Sequence, residues 1–134
     1  MTLQSEERKA IIDYRIEKAK RTYEEAVSNY NSGHFTLVAN RLYYTLFYAV
    51  TALLLQNKIN STTHQGAKSM LHYHLVKEVI LSKEDGNLFN RMLQMRNTGD
   101  YDDFFDYTEE DVASLMQPVE VLMNKIIGLI NKGE

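Results

Sequence analysis

One arginine and the polar residues that follow it form the segment best suited to chemistry. In the sequence RNTGDY, Arg96 precedes Asn97, and a carboxylate and a phenol follow at Asp100 and Tyr101. A guanidinium can donate paired hydrogen bonds to phosphate oxygens, and carboxylates and phenols transfer protons when their pKa is suitable. We therefore predict catalytic roles for Arg96, Asp100 and Tyr101. We predict a ligand-binding role for Asn97.

A band of polar side chains on the apolar segment VANRLYYTLFYAVTALLL, residues 38–55, is a second candidate. At about 100° per residue, the leucines, alanines, valines and Tyr43 of this segment occupy one broad side of a helix, which we expect to be core. The other side carries Asn40, Arg41, Tyr44, Thr45, Tyr48 and Thr51. Such a band fits either a solvated helix edge or the wall of a polar site. We predict ligand-binding roles for Arg41, Tyr44 and Tyr48.

Three of the four histidines lie close together in the sequence, at His64, His72 and His74. His72 and His74 are two residues apart, so they point to roughly opposite sides of a helix and cannot bind one ion together. Cysteine is absent, and we predict no metal site and no cofactor. His64, in the segment THQG, is either an interior hydrogen-bonded histidine or a further ligand-binding residue.

Length and charge restrict the class of protein and of partner. The chain of 134 residues is long enough for one domain, 1–134, whose core needs no disulfide. Its net charge of −3 indicates that any contact with RNA is local, and we expect no DNA partner. The N-terminus is charged and lacks the apolar run of a signal peptide, and residues 38–55 are too polar and too few to span lipid. We expect a cytoplasmic protein without a membrane partner.

The spacing of apolar residues predicts about five helices, which pack most simply as an up-and-down all-α bundle. Three predicted helices cover residues 5–31, 38–55 and 63–81, and two more begin at Ser82 and Thr108. The last two starts have the spacing of capping boxes, Ser82 with Asp85 and Thr108 with Asp111. Gly33 should end the first helix, Gly99 should break the chain after the fourth, and Pro118 should kink or split the last.

Arg96 is predicted to point inward, because it lies four residues after Met92 and three after Leu93 on the buried side of its helix. A desolvated guanidinium requires a partner. The acidic residues that could provide it are Asp100, Asp102 and Asp103. We expect Arg96 to be largely buried and paired with one of these three carboxylates.

Arg41 and Arg96 could face a common cavity, since the end of the fourth helix can approach the start of the second in an antiparallel bundle. Its predicted walls are Tyr44, Tyr48 and Tyr101. Two guanidiniums repel each other unless an anion or an aspartate lies between them. We therefore expect this cavity to bind phosphate, a nucleotide or an RNA backbone.

The segments ANRLYYTLFYAVTALLL, THQG and RNTGDYDDF, followed by a last helix that TEED caps, together resemble the HEPN family of small helical proteins. The resemblance implies a helical bundle, frequent homodimers, genetic pairing with a minimal nucleotidyltransferase and, in many members, metal-independent RNA cleavage in toxin and antitoxin systems. Its nucleases have an arginine, a polar residue and then a histidine after four to six intervening residues. Arg96 and Asn97 match the first two. The histidine positions hold Tyr101, Asp102 and Asp103.

The missing histidine makes RNA cleavage a less favoured function than binding. Cleavage at a 2′-hydroxyl requires a proton acceptor near neutral pH, and the pKa is about 6.5 for free histidine but about 10 for free tyrosine. We therefore predict an interaction module that binds a nucleotide or an RNA phosphate beside a nucleotidyltransferase. An endoribonuclease is the alternative, with Tyr101 in place of the histidine, or with Asp100, His64 or His74 as the base. A purely structural, oligomerising bundle is the other alternative.

Exposed aromatic residues suggest how partners could bind. Phe104, Phe105 and Tyr107 lie in an acidic segment, where they either fold back over the bundle or form a subunit interface. Together with the family resemblance, they lead us to expect a two-fold homodimer. Tyr101 and Tyr107 are the candidate acceptors for a nucleotidyl group from a partner enzyme.

Overall fold

Five α-helices and one π-helical segment account for most of residues 4–133, the part of the chain that the computed structural model describes. The elements are α1 (Ser5–Asn31), α2 (Phe35–Gln56), α3 (His64–Met70), the π-helical segment (Leu71–Val76), α4 (Lys83–Tyr101) and α5 (Glu109–Lys132). No strand occurs in this part of the chain. The predicted all-α helical bundle is confirmed.

Helix α2 is the central and most buried element, as predicted. It packs against α1, α3, α4 and α5, and it begins at Phe35, three residues before the predicted start. Two residues of its polar band, Thr45 and Thr51, are buried. Their hydroxyls donate to the carbonyls of Arg41 and Tyr48 within the same helix. Both hydroxyls are therefore used within the helix.

Helices α1 and α2 are joined by a tight connection at Gly33. This glycine has φ of +78°, a conformation that L side chains rarely adopt, so it ends α1 as predicted. The buried face of α1 against α2 consists of Ile12, Ile16, Ala19, Thr22 and Ala26. Two long helices in close contact supply the largest packed surface of the bundle.

By length and composition alone, α2 and α5 could each cross a membrane, with 22 and 24 residues. The expectation that the central helix is too short for this is therefore wrong. In the bundle, 67% of the apolar window of α2 and 39% of that of α5 are buried against other helices. A core helix of a soluble protein passes the same test.

The predicted helix over residues 63–81 is wrong beyond Met70. Thr63 caps α3 by accepting a hydrogen bond from the Gly66 amide, but the helix widens to π geometry at Leu71. Val79 then has φ of +60°, so the chain turns toward α4. The sequence lacks a regular apolar stripe here, and a change of helical period brings the leucines of this segment, Leu71, Leu75 and Leu81, into the core.

Both predicted capping boxes are present, at Ser82 with Asp85 and at Thr108 with Asp111. The predicted break at Gly99 is wrong, because α4 continues to Tyr101. A Cβ atom at Gly99 would lie 3.1 Å from Thr36 Cγ2 and 3.3 Å from the Tyr107 ring. This glycine therefore allows close packing of α4 against α2 and the segment before α5, rather than ending the helix.

Helix α5 runs without interruption through Pro118, so the predicted split does not occur. Proline removes one amide donor from the helix. In the turn before Pro118, the Tyr23 hydroxyl donates to the carbonyl of Met116 at 2.9 Å. The bond joins α1 to α5 at the point where the proline weakens the helix.

Candidate functional site

Arg96 lies in the last turns of α4 with its side chain 12% exposed. Its Nε atom is 3.0 Å from Asp100 Oδ2, its Nη1 donates to Asn97 Oδ1 at 3.0 Å, and its Nη2 donates to the Tyr44 hydroxyl at 3.0 Å. The predicted inward arginine with a carboxylate partner is confirmed. Asp100, rather than Asp102 or Asp103, is that partner.

The guanidinium of Arg96 retains hydrogen-bonding capacity. Although Nε lies close to the Asp100 carboxylate, it is buried and makes no hydrogen bond to a described residue, because the geometry gives an ion pair without a directed hydrogen bond. A guanidinium has five N–H groups, and here only two of them donate to described residues. Because Nε is buried against Asp100, the two remaining terminal N–H groups are the ones available to an anion that approaches the partly exposed side.

Asn40 connects the two arginines that the sequence pairs. Its amide nitrogen donates to Asp100 Oδ2 at 3.1 Å, and its oxygen accepts from Arg41 Nε at 3.0 Å and from Arg41 Nη2 at 2.8 Å. Arg41 also pairs with Glu25 at 3.0 Å. Asn40 was not predicted to have this role, although its position next to Arg41 on the polar band was a usable signal. We call Arg96, Asp100, Asn97, Tyr44 and Asn40 the Arg96 cluster.

Tyrosine rings enclose the guanidinium of Arg96. Its central carbon is 5.5 Å from the centre of the Tyr44 ring and 5.4 Å from that of Tyr101, and Arg41 lies 5.3 Å from the Tyr44 ring. Burial alone would lower the pKa of Arg96, but Tyr44, Tyr101 and Asp100 together raise it above its usual value. The guanidinium is therefore charged at every physiological pH. Tyr101 itself is 73% exposed.

His64 lies next to this cluster, in contact with the rings of Tyr44 and Phe47 at centroid distances of 5.7 and 5.0 Å. Its Nδ1 atom is 2.8 Å from the hydroxyl of Tyr43. Burial, and secondarily the charge of Arg96, lower the pKa of His64 below its usual value of 6.5. The imidazole is therefore neutral at pH 7. The predicted interior hydrogen bond of His64 is confirmed, and its ligand-binding role stays a prediction.

The hydroxyl of Tyr43 determines which nitrogen of His64 carries the proton. Tyr43 is fully buried, burial raises its pKa, and His64 Nδ1 is its hydrogen-bond partner among the described residues. A buried hydroxyl that fails to donate loses free energy, so Tyr43 donates to Nδ1 and the proton of the neutral ring is on Nε2. His64 thus presents a donor, not a proton acceptor, at Nε2.

Comparison with known proteins identifies the family. The model of the HEPN domain matches residues 12–129. The chain belongs to the HEPN family. A Thermotoga maritima protein named "UPF0332 protein" is 32% identical over 124 residues, covering 92% of this chain and 94% of that protein. A Methanocaldococcus jannaschii protein named "Putative toxin MJ0142" is 33% identical over 110 residues, covering 82% of this chain and 75% of its own length.

The prediction that Arg41 and Arg96 face a common cavity is wrong for this HEPN chain. Arg41 and Tyr48 line two different cavities, of about 300 and 350 Å³, and Arg96 lines neither of them. Tyr48 faces α1, where the Lys18 ammonium is 4.9 Å from its ring. Tyr44 and Tyr48 share one side of α2, but α4 covers the first and α1 covers the second. Of the predicted residues, the structure brings together Arg41, Tyr44, Asn97, Asp100 and Tyr101 around Arg96.

The acidic segment after α4 of the HEPN chain contains one tyrosine that folds back. Tyr107 donates from its hydroxyl to the Met95 carbonyl at 3.0 Å, and its ring contacts that of Phe105. Its hydroxyl is therefore engaged, whereas Tyr101 presents its ring to solvent. Phe104 is fully exposed, so folding back covers only part of the aromatic set. Among residues 4–133, no group of three or more metal-binding side chains is placed to hold an ion.

Proposed function

We propose that this HEPN chain is the phosphate-binding member of a toxin–antitoxin-like pair, and that it binds RNA or a nucleotide at Arg96 beside a nucleotidyltransferase partner. The observation that supports this most is the state of Arg96. Three side chains hold its guanidinium in place, and two of its terminal N–H groups have no hydrogen-bond acceptor among the described residues. A fixed, charged fork with unused donors matches the geometry of a phosphate.

Neighbouring groups add donors rather than acceptors of protons. His64 carries its proton on Nε2 and is neutral at pH 7, so it can donate to a phosphate oxygen without adding charge. Asp100 holds Arg96 in place before a ligand arrives, and Asn40 holds Asp100. The result is a preorganised binding site, in which the ligand meets groups that are already oriented.

Binding is favoured over cleavage because the described site has no free base. The carboxylate of Asp100 is occupied by Arg96 and Asn40, and His64 Nδ1 receives the Tyr43 hydroxyl. Cleavage by Tyr101 or Asp100 remains the second candidate function. The exposed phenol of Tyr101 beside Arg96 supports that alternative, and the name of the M. jannaschii relative supports a toxin role for either function.

Two kinds of protein partner complete the proposal. Tyr101, rather than Tyr107, is the acceptor that we assign to the nucleotidyltransferase, since its side chain is exposed and lies against Arg96. Transfer would join the phenol oxygen to the α-phosphorus of a nucleoside triphosphate, with pyrophosphate as the leaving group and the phenol proton passing to the partner enzyme. The other partner is a second copy of the chain, with Phe104 at the two-fold interface because it is fully exposed.

The test is binding of a labelled single-stranded RNA, measured by fluorescence anisotropy, to the wild type and to Arg96→Gln. Arg91→Gln is the matched control, because Arg91 is an exposed arginine of the same helix. We expect Arg96→Gln to weaken binding at least tenfold and Arg91→Gln to change it less than twofold. Equal binding by all three proteins would contradict the proposal. Loss of intact RNA on a denaturing gel, for the wild type only, would favour the endoribonuclease.

A further inference from the structure

A cavity with mainly apolar walls lies between α1, α2 and the segment before α3, and Arg96 does not line it. It has a volume of about 350 Å³, within the size range of small-ligand sites. Its walls are Ile11, Tyr14, Arg15, Lys18, Phe47, Tyr48, Thr51, Ser61 and Thr62. We call it the α1–α2 cavity. Two cations, three aromatic side chains, one isoleucine and three serine or threonine side chains line it, and no carboxylate does.

The two cations of this cavity are not neutralised by the described part of the chain. Arg15 and Lys18 lie one turn apart on α1, and neither forms an ion pair with a carboxylate among residues 4–133. Other lysines of the same helix do pair, Lys9 with Asp13 and Lys20 with Glu17. In a protein with net charge −3, two cations without acids at one concave site indicate an anionic ligand.

Arg15 is held in position more firmly than a surface arginine. Its Nη1 donates to the Thr51 carbonyl of α2 at 3.2 Å, and burial lowers its pKa. A guanidinium that has lost part of its water and has no carboxylate gains most from a charged ligand. Arg15 therefore provides a fixed positive group at the wall of the cavity.

Two tyrosine rings are placed to receive a flat ligand. Tyr14 is 57% exposed, and Tyr48 lines the same cavity from α2. The Lys18 ammonium lies between them, 5.7 Å from the Tyr14 ring and 4.9 Å from the Tyr48 ring. Aromatic faces beside unpaired cations are the features that bind an unstacked base together with its phosphate. The ammonium now covers the ring faces and can move aside to the phosphate.

The α1–α2 cavity is continuous with the Arg96 cluster along α2. Tyr48 lies one helical turn from Tyr44, and their rings are 5.8 Å apart. A neighbouring cavity, whose walls include Lys18, Glu25 and Arg41, extends from the α1–α2 cavity to Arg41, which contacts Asn40 of the cluster. A rise of about 6 Å separates residues four apart on a helix, which is similar to the length of one nucleotide. One strand can therefore contact both sites.

We propose that the α1–α2 cavity binds one nucleotide of a single-stranded RNA whose neighbouring phosphate is held at Arg96. The base stacks on Tyr14 and Tyr48, and Arg15 and Lys18 bind the phosphate of that nucleotide. This inference rests on the proposed function, because it specifies the ligand at Arg96 as single-stranded RNA and states that the strand continues along α2 to the α1–α2 cavity. It also explains why the polar band of α2 extends beyond the Arg96 cluster.

The test compares two matched double variants. Tyr14→Leu/Lys18→Gln removes a ring and a cation of the cavity. Tyr73→Leu/Lys77→Gln removes a ring and a cation elsewhere: Tyr73 is about as exposed as Tyr14, and the Lys77 ammonium is 5.0 Å from its ring. The probes are single-stranded RNAs of two to ten nucleotides that carry one 2-aminopurine, whose fluorescence falls when the base stacks.

We expect the wild type and the Tyr73→Leu/Lys77→Gln control to bind longer RNAs more tightly and to quench the 2-aminopurine at one position. The Tyr14→Leu/Lys18→Gln variant should lose that quenching and bind the longer RNAs about tenfold more weakly. Its plot of log affinity against log salt should be less steep by about 0.7, the contribution of one phosphate contact on a single strand. Equal quenching and equal affinity in both double variants would overturn the inference.

The outcomes also separate this inference from the proposed function. Loss of binding in Arg96→Gln with no change in Tyr14→Leu/Lys18→Gln would leave the Arg96 site standing and remove the cavity site. The reverse pattern would support the cavity and contradict the role of Arg96. A shift of oligomeric state in sedimentation, with unchanged RNA affinity in Tyr14→Leu/Lys18→Gln, would assign the cavity to contact with a second copy and overturn the inference.

Discussion

The Arg96 cluster and the α1–α2 cavity both place cations against tyrosine rings, but only the cluster contains a carboxylate of the chain. Asp100 and Asn40 fix the guanidinium of Arg96 and offset its charge. The Lys18 ammonium lies against two tyrosine rings, and Arg15 donates to a backbone carbonyl. The cluster is consequently part of the folded core, whereas the cavity keeps a net positive charge at little benefit to stability. Substitutions in the two regions should differ in their effects.

We expect the two regions to differ most in the free energy of unfolding that is lost when a cation is removed. Arg96→Ala leaves Asp100 without its partner, and we expect a loss of about 2 kcal/mol in the free energy of unfolding, between the values typical of exposed and of buried pairs. Lys18→Ala should change it by less than about 0.5 kcal/mol, as for a surface substitution. Urea denaturation measures both. A smaller effect for Arg96→Ala than for Lys18→Ala would break the comparison.

The two tyrosines of α2 provide the next test. Tyr44→Phe removes the acceptor of the Arg96 Nη2 hydrogen bond, which should cost about 1 kcal/mol. The Tyr48 hydroxyl makes no hydrogen bond to a described residue, so Tyr48→Phe should be close to neutral. Thermal and urea unfolding of the two variants measure the difference. Equal losses would show that the Tyr44 hydroxyl contributes nothing specific to the position of Arg96.

His64 provides a smaller effect, through its pKa. Burial and Arg96 lower this pKa below 6.5, so the unfolded chain binds a proton more readily than the folded one. Stability from His64 is therefore complete above about pH 6.5 and is lost as the pH falls toward the folded pKa. An NMR titration should show a partial rise of the His64 pKa in Arg96→Gln and no change in Lys18→Gln. A shift of the His64 pKa in Lys18→Gln would mean that the two regions are electrostatically coupled.

The smallest expected effect is at the ion pair that borders both regions. Arg41 pairs with the exposed carboxylate of Glu25 at 3.0 Å, so Glu25→Gln should cost no more than about 0.5 kcal/mol. The loss should disappear in 1 M salt, because exposed charges are screened. Unfolding at low and high salt measures this. A cost that persists in high salt would place Arg41 within the cluster rather than at its rim.

Local patterns predicted much of the fold and part of the site. Helix α1, the capping boxes and the inward direction of Arg96 follow from spacings of three and four residues, which the backbone of one helix determines. The π-helical segment and the helical path through Gly99 depend on packing between elements, which one sequence does not show. Tyr44 and Tyr48 illustrate the limit for the site: spacing places them on one face of α2, but only the positions of α1 and α4 separate them.

The hydroxyl of Tyr43 has a consequence for how readily this protein could acquire a new activity. In Tyr43→Phe, His64 Nδ1 would lose its donor and the proton of the ring could occupy either nitrogen. In a fraction of the molecules Nε2 would then be a free base beside Arg96, the pairing of groups that cleavage at a 2′-hydroxyl requires. A single oxygen atom in the core thus sets which nitrogen of this imidazole is protonated, and we expect its removal to leave Nε2 unprotonated in part of the population.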